Sequence, residues 1–195
     1  MRKKIIVQIL AAVVMAEVII ISAICNRDSR AEPVSNVTVR DIGPQAVLYT
    51  IHRGHYQTIG ESVENLYKLA DAKGICSTGP VFTGYLNNPH IQSPDHWLIE
   101  IRIPVSADAM KLVGTLGPMT DVKILPAMKI AATVKPEGQD NPETTICSLY
   151  SWIAKRGYRI TGGLWQSVPG GKPDNYTHMK TEFMIQIESP AAIQG

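Results

Sequence analysis

The sequence predicts an α+β domain made of two consecutive copies of one unit, each in the order strand, strand, helix, strand, strand. Three observations support this fold class. The same order of patterns occurs in residues 37–105 and again in residues 119–188. The apolar stripe of the first helical segment recurs 83 residues later. A glycine follows both helical segments at the same offset, where a left-handed C-terminal residue favours glycine.

Each copy begins with two predicted strands that are separated by proline. The first copy reads "NVTVRDIGPQAVLYTIHRG", with a break at Gly43-Pro44, and the second reads "MTDVKILPAMKIAATVKPEG", with a break at Pro126. Alternation of apolar and polar residues on both sides of each break is typical of strands. Residues 106–118 join the two copies.

The helix of each copy is predicted from a spacing of i, i+3, i+4, i+7. In the first copy these positions are Val63, Leu66, Tyr67 and Ala70, and in the second they are Ile146, Leu149, Tyr150 and Ile153. Thr58 with Glu61 has the spacing of a capping box, and Asn141 before Pro142 is typical of a helix start. Gly74 and Gly157 mark the two ends.

The last strand of each copy carries a glutamate at a matching position. Glu100 in "LIEIRIPV" corresponds to Glu182 in "KTEFMIQI", after a deletion of one residue. Because side chains alternate along a strand, both glutamates face away from the apolar side that covers the helices. Periodicity does not settle whether that other side is solvent or a binding cleft.

The N-terminus is predicted to direct the chain to a membrane. A basic start is followed by a largely apolar run from Ile5 to Cys25, long enough for a bilayer-spanning helix, although Glu17 lies in its middle. Residues 1–27 are therefore predicted as a signal anchor, with a cleaved signal peptide or a lipoprotein signal as alternatives. Residues 28–36 form a linker and residues 189–195 a tail. Positive residues remain inside, so the main domain is expected outside the cytoplasm.

Charge argues against a nucleic-acid partner. The formal net charge is +2, and the excess of positive charge lies in the first thirty residues. The remaining chain therefore lacks the basic surface that nucleic-acid binding requires. Histidines occur in or beside loops and turns without a third ligand nearby, so no metal is predicted. No cofactor is predicted either.

The two-copy pattern resembles the GyrI-like small-molecule-binding family. "HRGHYQTIGESVENLYKLADAKGI", "GPVFTGYLNNP" and "LIEIRIPV" carry the resemblance, which covers about residues 37–188. This family includes the effector-binding domains of AraC-type and MerR-type regulators. The resemblance implies an antiparallel sheet with two helices on one face and a ligand cleft between the modules, namely module one (37–105) and module two (119–188). It also implies that a glutamate on the final strand, here Glu182, meets a cationic aromatic ligand.

Aromatic residues are expected around Glu182, because ring faces attract cations. The candidate ligand-binding residues are Glu182, Trp165, Tyr85, Tyr49, Trp97 and Glu100. Plainer interpretations exist for three of them. Glu182 pairs with Lys180 on a solvated face, Trp97 belongs to the core because it shares the parity of Ile99, and Glu100 pairs with Arg102.

The leading functional prediction is a membrane-tethered or exported protein that binds a hydrophobic, cationic small molecule. One alternative is a hydrolase of small electrophilic compounds, with Glu182 as base and Tyr49 or Tyr85 as its polar partner. A second alternative is haem binding, since the SOUL haem-binding proteins share a similar duplicated architecture. A third is a module that binds a protein partner through the sheet.

Overall fold

The computed structural model describes residues 36–89, 91–135, 142–167 and 181–190. The predicted signal anchor, the linker up to residue 35, Asn141 and Lys180 lie outside these residues. Within them, no helix is long and apolar enough to cross a bilayer.

The described residues contain the predicted order of elements in both copies. The bounds of the strands and the two α-helices are β1 Thr38–Ile42, β2 Gln45–Arg53, α1 Ile59–Ala72, β3 Phe82–Tyr85, β4 Leu98–Val105, β5 Thr120–Leu125, β6 Met128–Lys135, α2 Pro142–Lys155, β7 Arg159–Ser167 and β8 Thr181–Glu188.

All eight strands form one antiparallel sheet in the order β1-β6-β8-β7-β3-β4-β2-β5. The first strand of each module pairs with the other module, β1 with β6 and β5 with β2. The order reads the same from either end when equivalent strands are exchanged, so the two modules are related by a pseudo-twofold axis between β3 and β7. At this axis Phe82 pairs with Ser167 and Gly84 with Trp165.

Both helices pack on the same face of the sheet. Helix α1 buries Val63, Leu66 and Ala70 against alternate residues of β4 such as Ile101. Helix α2 buries Leu149 and Ile153 against Phe183, Ile185 and Ile187 of β8. The cross-strand register places Ile101 and Phe183 on one side, because Thr83 pairs with Ile101 and with Gln166, and Gln166 pairs with Phe183. The predicted helix stripes are confirmed.

The helix ends agree with the sequence except at the start of α1. Helix α2 begins at Pro142, as predicted. Gly74 and Gly157 adopt φ of +65° and +70°, the left-handed conformation expected after a helix. Thr58 is the N-cap of α1, but its side chain makes no capping hydrogen bond. Its hydroxyl donates instead to the carbonyl of His55 at 2.8 Å, so the predicted capping box with Glu61 is not formed.

A third apolar cluster lies on the opposite side of the sheet, which we call the helix-free face. Its buried members are Ile130, Ala132 and Met184, with Phe82 and Trp165 packed against them. Met184 alternates with Phe183 and Ile185 along β8, which explains why it points away from α2. This face is therefore partly apolar.

Candidate functional site

Trp165 occupies the centre of the helix-free face, next to the junction of the two modules. Its strand neighbour on β3 is Gly84, which pairs on its other side with Glu100. A Cβ atom on Gly84 would lie only 2.8 Å from two atoms of the indole, so the indole lies directly over this glycine. Absence of a side chain at position 84 thus allows Trp165 to extend from β7 across β3 towards β4.

Arg102 of β4 stacks on Trp165. The guanidinium carbon lies 3.5 Å from the centre of the tryptophan ring and 5.7 Å from that of Phe82. Arg102 is 8% exposed. Burial lowers the pKa of Arg102 to about 10, although the nearby Glu100 carboxylate acts in the opposite direction. The aromatic residues therefore surround a planar cation supplied by the chain itself.

Glu100 lies beside this stack and is 6% exposed. Its Oε2 atom accepts a hydrogen bond from Lys123 Nζ at 2.8 Å, whereas its Oε1 atom is buried without a hydrogen-bond partner among the described residues. The ammonium of Lys123 also lies 4.1 Å from the centre of the Tyr49 ring. Desolvation raises the pKa of Tyr49, with smaller contributions from Asp121 and Glu100.

The second glutamate, Glu182 of module two, forms an equivalent ion pair with a residue of module one. Arg40 of β1 donates to Glu182 Oε1 at 2.7 Å. Glu182 pairs across the sheet with Ser167, and Glu100 pairs with Gly84. Ser167 is the residue of module two that is equivalent to Gly84 of module one. Arg40 and Lys123 are 83 residues apart, the same offset as the helices. The Arg40–Glu182 pair is more exposed than the Lys123–Glu100 pair, with exposed side-chain fractions of 46% for Arg40 and 19% for Glu182.

Two of the six predicted site residues, Tyr85 and Trp97, lie on the helix side of the sheet. Their rings meet edge to face at 5.6 Å. Trp97 also stacks on His55, and Tyr85 lies 6.3 Å from Tyr56. Burial raises the pKa of Tyr85 to about 12, and the neighbouring Tyr56 acts in the same direction. This aromatic group is packed near α1 and is separated by the sheet from Glu182.

A small cavity of about 30 Å³ lies beside this aromatic group at the module junction. Tyr56, Thr83, Tyr85, Leu164 and Gln166 are among its lining residues. Gln166 donates a hydrogen bond to the hydroxyl of Tyr56, which ties module two to module one on this side. Such a volume holds about one water molecule, so the cavity is too small for an aromatic ligand.

The structure thus places four of the six predicted residues on the helix-free face, namely Glu182, Trp165, Tyr49 and Glu100. Their role as ligand contacts stays a prediction. Glu182 pairs with Arg40, and Glu100 pairs with Lys123 while Arg102 stacks on Trp165. Sequence reasoning missed Arg102 and Gly84 as parts of the site. The strand parity of Arg102 with Glu100 was a usable signal, whereas the contact of Gly84 with Trp165 requires the pairing of the two modules.

Comparison with solved structures confirms the resemblance at the level of the fold. The C-terminal domain of EcmrR, an effector-binding domain of a MerR-type regulator, matches with a TM-score of 0.64 and 15% identity, over 79% of this chain and 98% of that one. EcmrR in its complex with DNA matches with a TM-score of 0.66 and 15% identity, over 96% of this chain and 70% of that one. A hydrolase encoded by lin2189 from Listeria innocua matches with a TM-score of 0.58 and 12% identity, over 80% of this chain and 93% of that one. No protein-family model and no curated protein matches the chain.

Proposed function

We propose that this domain binds a small, hydrophobic, cationic molecule on the helix-free face, with Trp165 as the platform. The observation that carries the proposal is the position of Arg102, whose planar cation stacks on Trp165 beside the buried carboxylate of Glu100. The same surroundings suit the delocalised cation of a ligand. The fold shared with an effector-binding domain supports a binding role.

Two carboxylates provide the negative charge of this site. Glu100 and Glu182 lie on β4 and β8, on either side of the two strands that contain Gly84 and Trp165. The two strands are three steps apart in the sheet, about 14 Å, so a ring on Trp165 lies between the two carboxylates. A cation there would compete with Lys123 and Arg40 for the carboxylate oxygens. Because the side chains of Arg40 and Glu182 are 46% and 19% exposed, against 36% and 8% for Lys123 and Glu100, the pair with Glu182 is the easier one to open.

We further propose that residues 1–27 anchor the chain in a membrane and that the binding domain lies on the extracytoplasmic side. The proposal rests on the basic start and the apolar run that ends at Cys25. Protease treatment of intact cells or spheroplasts tests the orientation. Loss of the domain under treatment supports it, and protection until the membrane is lysed contradicts it.

Thermal unfolding of the full chain tests ligand binding. N-methylquinolinium serves as the planar cation, and 1-methylnaphthalene serves as its neutral counterpart of similar size. Ligand at 100 times its dissociation constant adds about 2.7 kcal/mol to the free energy of unfolding. We expect the cation to stabilise the wild type and to lose this effect in Trp165→Leu. Glu182→Gln and Glu100→Gln should each weaken the effect.

Glu188→Gln is the matched control. Glu188 is on the same strand as Glu182 and pairs with the exposed Arg159 at the end of the sheet. This substitution should leave binding unchanged. Equal stabilisation by the neutral and the cationic probe, or binding that survives Trp165→Leu, would contradict the proposed site.

A further inference from the structure

Buried polar atoms without partners are concentrated around Trp165. Five buried side-chain atoms of the described residues lack a hydrogen-bond partner, and three of them belong to residues of the helix-free face. These three are Oε1 of Glu100, Nε of Arg102 and Oγ of Ser167. All three residues are more than nine-tenths buried, at 6%, 8% and 2% exposure. An unsatisfied buried polar group is costly, and such a group in a folded protein requires an explanation.

The register places the three atoms around one small patch of the sheet. Glu100 and Arg102 are two residues apart on β4, so their side chains project from the same face of the sheet about 7 Å apart. Arg102 pairs with Phe82 on β3, and Phe82 pairs with Ser167 on β7. The patch between the three residues is therefore formed by Phe82, by Gly84 and by the indole that lies over this glycine.

We propose that the ligand of this site is a planar heteroaromatic molecule with an N–H donor and a hydrogen-bond acceptor on its edge. The inference rests on the proposed function and narrows the ligand class of that site. The ring lies alongside the guanidinium of Arg102, over Phe82 and the indole. Its N–H group donates to Oε1 of Glu100, and its acceptor receives the Nε–H of Arg102. Ser167 supplies a hydroxyl that donates or accepts.

This chemistry separates a ring that carries edge donors and acceptors from a quaternary aromatic cation. A quaternary aromatic cation has no N–H to donate and no acceptor, so all three buried groups remain unpartnered when it binds. A ring with donor and acceptor completes the hydrogen bonds that the fold leaves open, and hydrogen bonds to charged groups are the stronger kind.

A pair of bicyclic probes tests this inference on the full chain by isothermal titration calorimetry. 2-Aminoquinolin-4-one has N–H donors and a carbonyl acceptor, whereas N-methylquinolinium has neither. We expect 2-aminoquinolin-4-one to bind at least about 10-fold more tightly, the factor that one hydrogen bond to a charged group supplies. Glu100→Gln and Arg102→Met should each remove about 10-fold of its affinity. Arg102→Met should leave the affinity for N-methylquinolinium unchanged, whereas Glu100→Gln removes a carboxylate that attracts both probes and should weaken N-methylquinolinium less than it weakens 2-aminoquinolin-4-one.

Ser167→Ala provides a second test that does not depend on a charged variant folding. Removing this hydroxyl should weaken 2-aminoquinolin-4-one by about 3-fold or more, as expected for a neutral hydrogen bond, and leave N-methylquinolinium unchanged. Glu188→Gln is the control for both probes.

The outcomes distinguish this inference from the proposed function. Binding of N-methylquinolinium that depends on Trp165 and equals or exceeds that of 2-aminoquinolin-4-one overturns the inference and leaves the proposed function standing. Preference for 2-aminoquinolin-4-one that persists in all three variants also overturns it. Absence of binding by both probes overturns the inference together with the proposed ligand class.

Discussion

Arg102 and Trp165 belong to different modules, and yet the guanidinium carbon of one lies 3.5 Å from the ring centre of the other. The contact crosses the module junction through β3, where Gly84 leaves room for the indole. It therefore links the stability of the junction to the shape of the candidate ligand site.

A double-mutant cycle on Arg102 and Trp165 should give a coupling energy of about 1–2 kcal/mol. Cation–π pairs reach the upper part of their range when they are desolvated, and Arg102 is buried. Arg102→Met, Trp165→Leu and the double variant are compared with the wild type by denaturant unfolding. Arg156 and Trp152 form a control pair, because Arg156 is exposed and its guanidinium carbon lies 5.2 Å from the ring. Their coupling should be about 0.5 kcal/mol or less, and equal couplings for the two pairs would contradict this account.

Gly84→Ala should destabilise the fold by about 1–3 kcal/mol, the usual cost of extra volume in a packed site. The new methyl group would lie 2.8 Å from the indole and displace it from β3. Intrinsic fluorescence of Trp165 should shift as a result, measured in a variant without Trp97 and Trp152. Gly163→Ala on β7 is the control, because a Cβ at position 163 meets nothing within 4 Å. If Gly84→Ala leaves the free energy of unfolding unchanged, the indole does not rest on this glycine.

Removing the cation from the buried ion pair should cost more than removing it from the exposed one. Lys123→Met removes the one side chain of the described residues that donates a hydrogen bond to the buried carboxylate of Glu100. We expect a loss of about 1–3 kcal/mol at neutral pH, because a charge that loses its partner in a buried position is unfavourable. Arg40→Met acts on the half-exposed pair with Glu182, and its cost should be below about 1 kcal/mol.

The double variant Lys123→Met, Glu100→Gln provides the decisive comparison for this pair. Removal of the unpaired charge should recover most of the stability lost in Lys123→Met, as measured by denaturant unfolding at constant pH. If the double variant is as unstable as the single one, the loss comes from the lysine stem and not from the ion pair.

Alkaline pH should destabilise the domain partly through Tyr85. Its pKa is raised from the usual 10 to about 12 in the folded state, because burial disfavours the phenolate. A group with a raised pKa contributes stability that is fully present below the unfolded pKa, near 10, and is lost as the pH rises towards 12. Arg102 acts with the opposite sign, because its pKa is lowered to about 10 and its desolvation cost is relieved above that pH.

Tyr85→Phe should therefore flatten the fall of unfolding free energy between pH 10 and 12 by about 1–2 kcal/mol, a value reduced from the full linkage for partial exposure of the ring. Arg102→Met should make the fall steeper over the same interval. Denaturant unfolding at several alkaline pH values measures both. Unchanged slopes in the two variants would contradict these assignments.

Much of the fold could be predicted from the sequence because its signals are local. The helix stripes from Val63 to Ala70 and from Ile146 to Ile153, and the glycines that follow them, depend on neighbours within a few residues. The pairing of β1 and β5 with the opposite module depends on contacts between segments far apart in the chain, and periodicity carries no information about this pairing. The capping box is not formed because the hydroxyl of Thr58 donates to the carbonyl of His55 and does not accept from a backbone N–H of the helix.

Only part of the site could be predicted, because some of its features depend on local signals and others on contacts between distant segments. Strand parity correctly assigned Glu100 and Glu182 to the side away from the helices. It also distinguishes Trp165 from Tyr85, whose side chains leave opposite faces of the sheet, but the expectation of a single aromatic cluster overrode that distinction. The cations Lys123 and Arg40 arrive on strands that the opposite module contributes, so their positions followed only from the complete sheet.

The exchange of β1 and β5 has a consequence for any attempt to separate the modules. Each half of the chain carries an edge strand that completes the sheet of the other half, as in a domain-swapped dimer whose two subunits have been joined by residues 106–118. A chain cut in this joint should yield two fragments that reassemble into one eight-stranded sheet when they are mixed. A single module expressed alone should recover a full sheet by self-association, which indicates how such a duplicated domain can arise from a homodimer.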